Sequence, residues 1–210
     1  MTRFLVVFDV DSTLIEDEVI ELLADAAGKR AEVAEITERA MMGELDFADS
    51  LRERVSTLEG LPESVISDTY SRIKPTRGVE TLISAIHAAG GKVGAVSGGF
   101  NQLLAPLAEK LSLDFWRANE LEIVDTKLTG AVTGKIIDRQ AKADALTEWA
   151  SLCQLPMSRT VAVGDGANDL AMMAIAGLSV AFNAKPMVRQ SAHLVVSQQD
   201  LSQLIKVLGI

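Results

Sequence analysis

The apolar run Phe4-Leu-Val-Val-Phe8 ends abruptly in Asp9-Val-Asp11-Ser-Thr13. Five such residues are too few for a secretory-signal core, and no apolar run elsewhere reaches the roughly 18 residues of a membrane span. The run therefore reads as a buried strand over about 4–9, because a strand covered on both faces needs no polar alternation. Period-two geometry aims Asp9 and Asp11 to the same side, so two carboxylates converge at the strand's carboxyl end. Their repulsion must be relieved by a cation or a shared proton. Open α/β sheets bind ligands outside that end of their strands, so position and chemistry agree. The bland alternative is an exposed turn with incidental acids.

Three further segments repeat the theme. A strand at 160–163 ends in Gly164-Asp165-Gly166-Ala167-Asn168-Asp169, which delivers more carboxylates at an equivalent strand end, with glycines that permit close backbone approach. Asp and Asn oxygens are hard ligands of the kind Mg²⁺ takes. A strand at 93–96 runs into Ser97-Gly98-Gly99 and opens onto a helix at 101–111; a hydroxyl with free N–H groups at a helix N-terminus suits an anion, although Ser-Gly-Gly alone is more often a turn. Lys142 begins a helix at 142–152, where a cation opposes the helix dipole and a compensating anion would explain it. Alone, it reads as a solvated surface lysine.

Between these strand ends the chain alternates in period. The first strand is followed by a helix carrying Val19, Ile20, Leu22, Leu23 and Ala26 and stopped at Gly28. Residues 31–42, 47–58 and 62–73 are helical in pattern with no strand among them, punctuated by Gly43 and Gly60-Leu-Pro62. This predicts an inserted helical cap over 15–74, and a core made of 1–14 and 75–210. After Pro75 come a helix at 79–89, the strand at 93–96, an antiparallel ribbon over 120–135, strands near 178–182 and 194–196, and a helix from 201. The grammar is βαβ, so the fold class is α/β with a parallel, Rossmann-like sheet core.

Composition narrows the functions. Over 210 residues, 48% hydrophobic and 23% charged content predicts a self-sufficient globular core. A net charge of −9 gives no general reason to bind nucleic acid or an acidic membrane surface. The single Cys153 forms no intramolecular disulfide, suits a reducing cytoplasm, and reads as core filler beside Leu152 and Leu155. Neither His87 nor His193 lies in a recognisable motif.

In order and over the whole chain, the four segments resemble the haloacid dehalogenase superfamily of aspartate-nucleophile phosphatases. Asp9-Val-Asp11-Ser-Thr13 matches its first motif, Ser97 the second, Lys142 the third, and Gly164 through Asp169 the fourth. The likeness narrows to the phosphoserine phosphatases on Asp9 through Glu18, Met41 with Gly43 and Phe47, Ser50-Leu-Arg-Glu-Arg54-Val-Ser56, Val96-Ser-Gly-Gly-Phe100, and Val161 through Asp169. The small ferredoxin-like domain that some members carry in front is not expected here, since the first motif begins at residue 9.

The resemblance implies hydrolysis of O-phosphoserine, the last step of serine biosynthesis. Asp9 is the implied nucleophile and Asp11 the acid and base. Mg²⁺ would be held by Asp9, the Asp11 carbonyl and Asp165. Ser97, Gly98 and Lys142 would grip the phosphate, and Asn168 would orient substrate with Asp169 in support. Glu18 would hold the serine ammonium, Arg54 its carboxylate, and Met41 with Phe47 would close the pocket. Without the resemblance, these four read as a first-turn acid, a solvated arginine and cap core. Two alternatives stay open: a phosphatase or phosphotransferase for another small phosphomonoester, and a catalytically silent module that binds a phospho-ligand.

Overall fold

A computed structural model describes residues 2–210. The chain runs β1 (Leu5–Phe8), then α1 (Val19–Ala26), α2 (Arg30–Met41), α3 (Phe47–Ser56), α4 (Ser64–Arg72) and α5 (Val79–Ala88). β2 (Lys92–Phe100), α6 (Asn101–Leu111), β3 (Phe115–Val124), β4 (Lys127–Thr133) and α7 (Arg139–Leu152) follow. The chain closes with β5 (Thr160–Gly164), α8 (Leu170–Ile175), β6 (Leu178–Phe182), α9 (Pro186–Ser191), β7 (Leu194–Val196) and α10 (Gln203–Leu208). One sheet orders the strands β4-β3-β2-β1-β5-β6-β7, and every pairing is parallel except β3 with β4.

β1 is central for the reason its sequence gives: Leu5, Val6, Val7 and Phe8 are all fully buried, which requires a strand neighbour on each side and helices on each face. Alternate residues serve different layers. Val6 and Phe8 join Val93, Val163 and Phe182 under Leu23 of α1, Leu82 of α5 and Leu104 of α6. Leu5 and Val7 join Ala162 and Ala181 under Leu146 and Trp149 of α7 and Met172 of α8. The carboxyl ends of β1, β2 and β5 thus lie side by side, which is where the motif residues stand.

α1 through α4 form a helical insertion with no strand among them. Its two connections run next to each other: Ile15 bridges Pro75, the Glu16 amide donates to the Lys74 carbonyl at 2.9 Å, and the Lys74 amide donates to Asp17 Oδ2 at 2.8 Å. A second tie comes from the β3–β4 ribbon. Gly60 N donates to Leu128 O, Leu128 N to Leu61 O and Glu63 N to Thr126 O, each at 2.9 Å. Leu51, Val55 and Leu58 of the insertion share one apolar cluster with Leu121 and Leu128 of the ribbon.

Several local expectations are corrected. The antiparallel ribbon expected over 120–135 is present, but its first strand starts earlier: β3 begins at Phe115 and pairs parallel with β2 through Gly94, Ala95 and Val96 before turning antiparallel to β4. Ser97-Gly98-Gly99 is no post-strand turn but the extended tail of β2, with a register shift between Val96 and Phe100. α7 starts at Arg139, three residues early, because Asp138 Oδ1 accepts from Ala141 N at 2.8 Å as an N-cap. α9 was not expected; Pro186 at its first position, with φ already fixed for a helix, was the overlooked signal.

The β2–α7 contact sets a packing limit. A Cβ built at Gly94 would lie 2.8 Å from the Trp149 ring, which stacks on Phe115 with centroids 5.5 Å apart. Gly94→Val should therefore lower unfolding free energy by about 1–3 kcal/mol through overpacking. Urea denaturation measures it, and an unchanged midpoint would mean that Trp149 does not sit on this strand.

Candidate active site

β1 ends at Asp9, whose amide donates to the Val163 carbonyl of β5 at 2.9 Å, so the carboxylate leaves the sheet at a fixed point. Lys142, in the first turn of α7, is fully buried and reaches Asp9 Oδ1 at 2.5 Å and Asp169 Oδ1 at 2.7 Å. Asp169 spends its other oxygen on the amides of Asp165 and Gly166, at 3.1 and 3.2 Å. Gly164 makes room for this: a Cβ there would collide with the Asp169 carboxylate. The lysine that alone would read as solvated is the counter-ion of the strand-end acids, and these supply the compensating negative charge that its place at a helix start called for. Burial alone would depress its pKa, but Asp169 and Asp9 outweigh that and hold it protonated. Asp9 is pushed up to about 7 by burial and by the charge of Asp169, against the pull of Lys142.

Asp9, Asp165 and Asp169 place carboxylate oxygens within 4.8 Å of one another, all buried. Both oxygens of Asp169 are committed to Lys142 and backbone amides. Asp165 Oδ1 is buried with no partner, and burial, then Asp9 and Asp169, raise the pKa of Asp165 well above the ordinary carboxyl value. A buried carboxylate oxygen with nothing to bind, beside a second acid, fits a divalent cation that prefers oxygen. The Asp11 carboxylate is engaged elsewhere, accepting from Val19 N at 2.8 Å and from Ser97 Oγ at 3.0 Å. Burial raises its pKa despite those bonds.

Above the acids lies a narrow cleft, lined by Asp9, Asp11, Gly98 and Asn168 together with Glu18, Met41, Phe47 and Arg54. Glu18 accepts from Ser12 Oγ at 2.6 Å; burial, then Asp11, raise its pKa well above the usual carboxyl range. Arg54 is 6% exposed and donates from Nε to the Ser50 carbonyl at 3.0 Å and from Nη1 to Thr37 Oγ1 at 3.1 Å. No carboxylate among the described residues pairs with it within 4.0 Å. Phe47 lies on Gly98 so closely that a Cβ there would be 2.5 Å from its ring. The Ser97 hydroxyl is occupied, donating to Asp11 and accepting from Gly99 N at 2.8 Å, so gripping an anion requires it to turn. Asn168 Oδ1 is buried and unpartnered at the cleft floor.

Three residues escaped the sequence reading. Thr37 holds Arg54, Ser12 holds Glu18 from a left-handed backbone at φ 56°, and buried Asn119 donates to Gly98 O and accepts from Ile137 N, both at 2.8 Å. The available signal was a polar residue inside an apolar stripe: Thr37 shares the buried face of α2 with Val33 and Ile36.

Comparison with known proteins agrees with this geometry. Residues 6–174 match the family of haloacid dehalogenase-like hydrolases, and the chain belongs to that family. Within it the likeness is to phosphoserine phosphatases. The chain is 48% identical to the phosphoserine phosphatase of Streptococcus thermophilus over 97% of its own length and 95% of that protein's. It is 52% identical to one from Mycobacterium tuberculosis over its full length but only 51% of the relative, so it spans about half the length of that protein. A solved structure of a phospho-aspartyl intermediate analogue of phosphoserine phosphatase superposes with a TM-score of 0.96 at 42% identity, covering 99% of both chains.

The raised carboxyl groups fix a pH response. Because Asp9, Asp11 and Asp165 all have raised pKa values, the native state binds more protons than the unfolded chain between 3.8 and about 7. Stability therefore falls as pH rises through that window. Chelator-treated protein is expected to melt at a higher temperature at about pH 5 than at about pH 7.5, and Asp165→Asn should shrink the difference. A melting temperature that climbs across this interval would contradict the assignment.

Proposed function

We propose that this chain hydrolyses O-phosphoserine to serine and phosphate through an aspartyl-phosphate on Asp9. The observation that carries the reading is the pairing, in one cleft above Asp9 and Asp11, of a buried unpaired guanidinium, Arg54, with a carboxyl group, Glu18. A phosphate ester whose other end bears one ammonium and one carboxylate satisfies both. Arg54 offers a forked donor to the carboxylate. Glu18, ionised by the approaching ammonium, accepts from it.

The Asp9 carboxylate attacks phosphorus and the bond from phosphorus to the serine oxygen breaks. Asp11 gives its proton to that oxygen, then takes one from the water that cleaves the aspartyl-phosphate. Gly98 N–H, Ser97 and Lys142 hold the phosphoryl oxygens, with Lys142 kept charged and aimed by Asp169. Asn168 orients the phosphate, while Met41 and Phe47 exclude water from the intermediate. Mg²⁺ would be held by Asp9, the Asp11 carbonyl and Asp165, and would neutralise charge on the transferring group. The cap is taken as 15–74 and the core as 1–14 with 75–210. A cytoplasmic site of action keeps the lone, half-buried Cys153 a thiol.

Phosphate release tests the reading. With Mg²⁺ present, O-phosphoserine should be hydrolysed in preference to phosphothreonine and sugar phosphates, and both Asp9→Asn and EDTA should abolish release while the circular dichroism spectrum persists. A sugar phosphate turned over faster than phosphoserine would transfer the assignment to another phosphomonoester.

Arg54→Ala separates recognition of the serine carboxylate from chemistry. Losing a charged hydrogen-bond partner should reduce kcat/KM for phosphoserine by roughly ten- to a hundred-fold, about 1.5–3 kcal/mol. The loss on p-nitrophenyl phosphate, which has no carboxylate, should be much smaller. Equal losses on both substrates would assign Arg54 to the phosphate or to packing.

A further inference from the structure

Thr37 is 2% exposed, lines the cleft and lies on α2, whereas Arg54 lies on α3. Its hydroxyl donates to the Val33 carbonyl one turn back, at 2.8 Å. A hydroxyl has one proton, so the Oγ1 lone pairs are what meet Arg54 Nη1 at 3.1 Å. The direction of that bond is fixed by the helix backbone rather than by the ligand. The second restraint on the guanidinium, Nε to the Ser50 carbonyl at 3.0 Å, comes from its own helix. Two bonds from two helices hold the plane of the fork, and its remaining N–H groups are left for the cleft. Burial lowers the pKa of this guanidinium, so a neutral acceptor that orients it without cancelling its charge differs in kind from a carboxylate partner.

The geometry points to Thr37 as a positioning residue that sets selectivity for substrates bearing a carboxylate, by holding the Arg54 fork in its binding orientation before substrate arrives. This rests on the phosphoserine reading above. A neutral acceptor leaves the positive charge of Arg54 available for the ligand, and a preset fork spares the ligand the entropy of ordering a long side chain.

The test compares Thr37→Val, which keeps the shape and removes the acceptor, with Thr37→Ser, which keeps it. In Thr37→Val, KM for phosphoserine should rise about tenfold with kcat changed far less, and the ratio of kcat/KM for phosphoserine over p-nitrophenyl phosphate should fall by a similar factor. Thr37→Ser should restore both. In an Arg54→Ala background, Thr37→Val should add no further loss on phosphoserine, since a residue that acts only through Arg54 has nothing left to position. Should Thr37→Val melt early, the ratio of kcat/KM for the two substrates, read below its melting temperature, decides, because that ratio does not depend on the fraction of enzyme folded. Equal losses on both substrates, additivity with Arg54→Ala, or wild-type kinetics in Thr37→Val would each overturn the proposal. A wild-type enzyme that releases phosphate from p-nitrophenyl phosphate but not from phosphoserine would overturn the substrate reading first, and Thr37's role with it.

Discussion

A lysine ammonium with no exposure to water, held between Asp9 and Asp169, is the constraint on which the rest of this molecule depends. Three acids brought to two adjacent strand ends would repel one another in a medium that screens charge poorly. A buried cation that satisfies two of them makes the arrangement tenable, and losing one partner from such a cluster typically costs about 3–5 kcal/mol. The requirement reaches back into the fold. α7 must lie close enough to the sheet for residue 142 to reach β1, and the buried small residues Ala141, Ala145 and Ala150 permit that approach. Gly164 must lack a side chain so that Asp169 can fold back over its own loop. Asp165 stands outside this ion-paired cluster, with Oδ1 a buried carboxylate oxygen that has no hydrogen-bond partner.

The cleft is organised by a second electrostatic contrast. Its floor is anionic, and the proposed reading brings a phosphate to it, which a lysine, a hydroxyl and backbone N–H groups would meet while the acids are held back by partners of their own. Its wall offers one buried cation and one acid, each fixed by a neutral hydroxyl: Thr37 for Arg54 and Ser12 for Glu18. Neutral supports of this kind hold direction without consuming charge.

Much of this was legible in the sequence because strand ends advertise themselves. Apolar runs that stop at Asp9, at Ser97 and at Gly164-Asp165 pointed to the strand ends where the candidate site lies, and residues 31–73 are helical without a strand, as their pattern indicated. The environment of Lys142 was hidden from local reasoning, since dipole arguments identify an unfavourable lysine but not the partner that rescues it from 133 residues away. The start of β3 was missed for a related reason. Phe115-Trp-Arg has no clean alternation, and it is a strand because β2 supplies an edge and Trp149 a ring to stack on. Thr37 left only the mark of a polar residue in an apolar stripe, and Ser12 and Asn119 left none that points to a partner; their roles exist only across helices, loops and strands that tertiary structure brings together.

The β3–β4 ribbon's grip on residues 60–63 has a mechanical consequence. An insertion held only by its paired connections at 15–17 and 73–75 could swing as a rigid flap, but the backbone bonds from Thr126 and Leu128 pin its far side to the sheet. At the α2 edge the tie to the core is of another kind, a side-chain ion pair between Lys185 and Glu38 at 2.6 Å. The two walls of the cleft are therefore anchored unequally. α3, bearing Arg54, leads directly into the segment that main-chain hydrogen bonds fasten to the sheet, whereas the wall carrying Met41 is joined to the core through side chains.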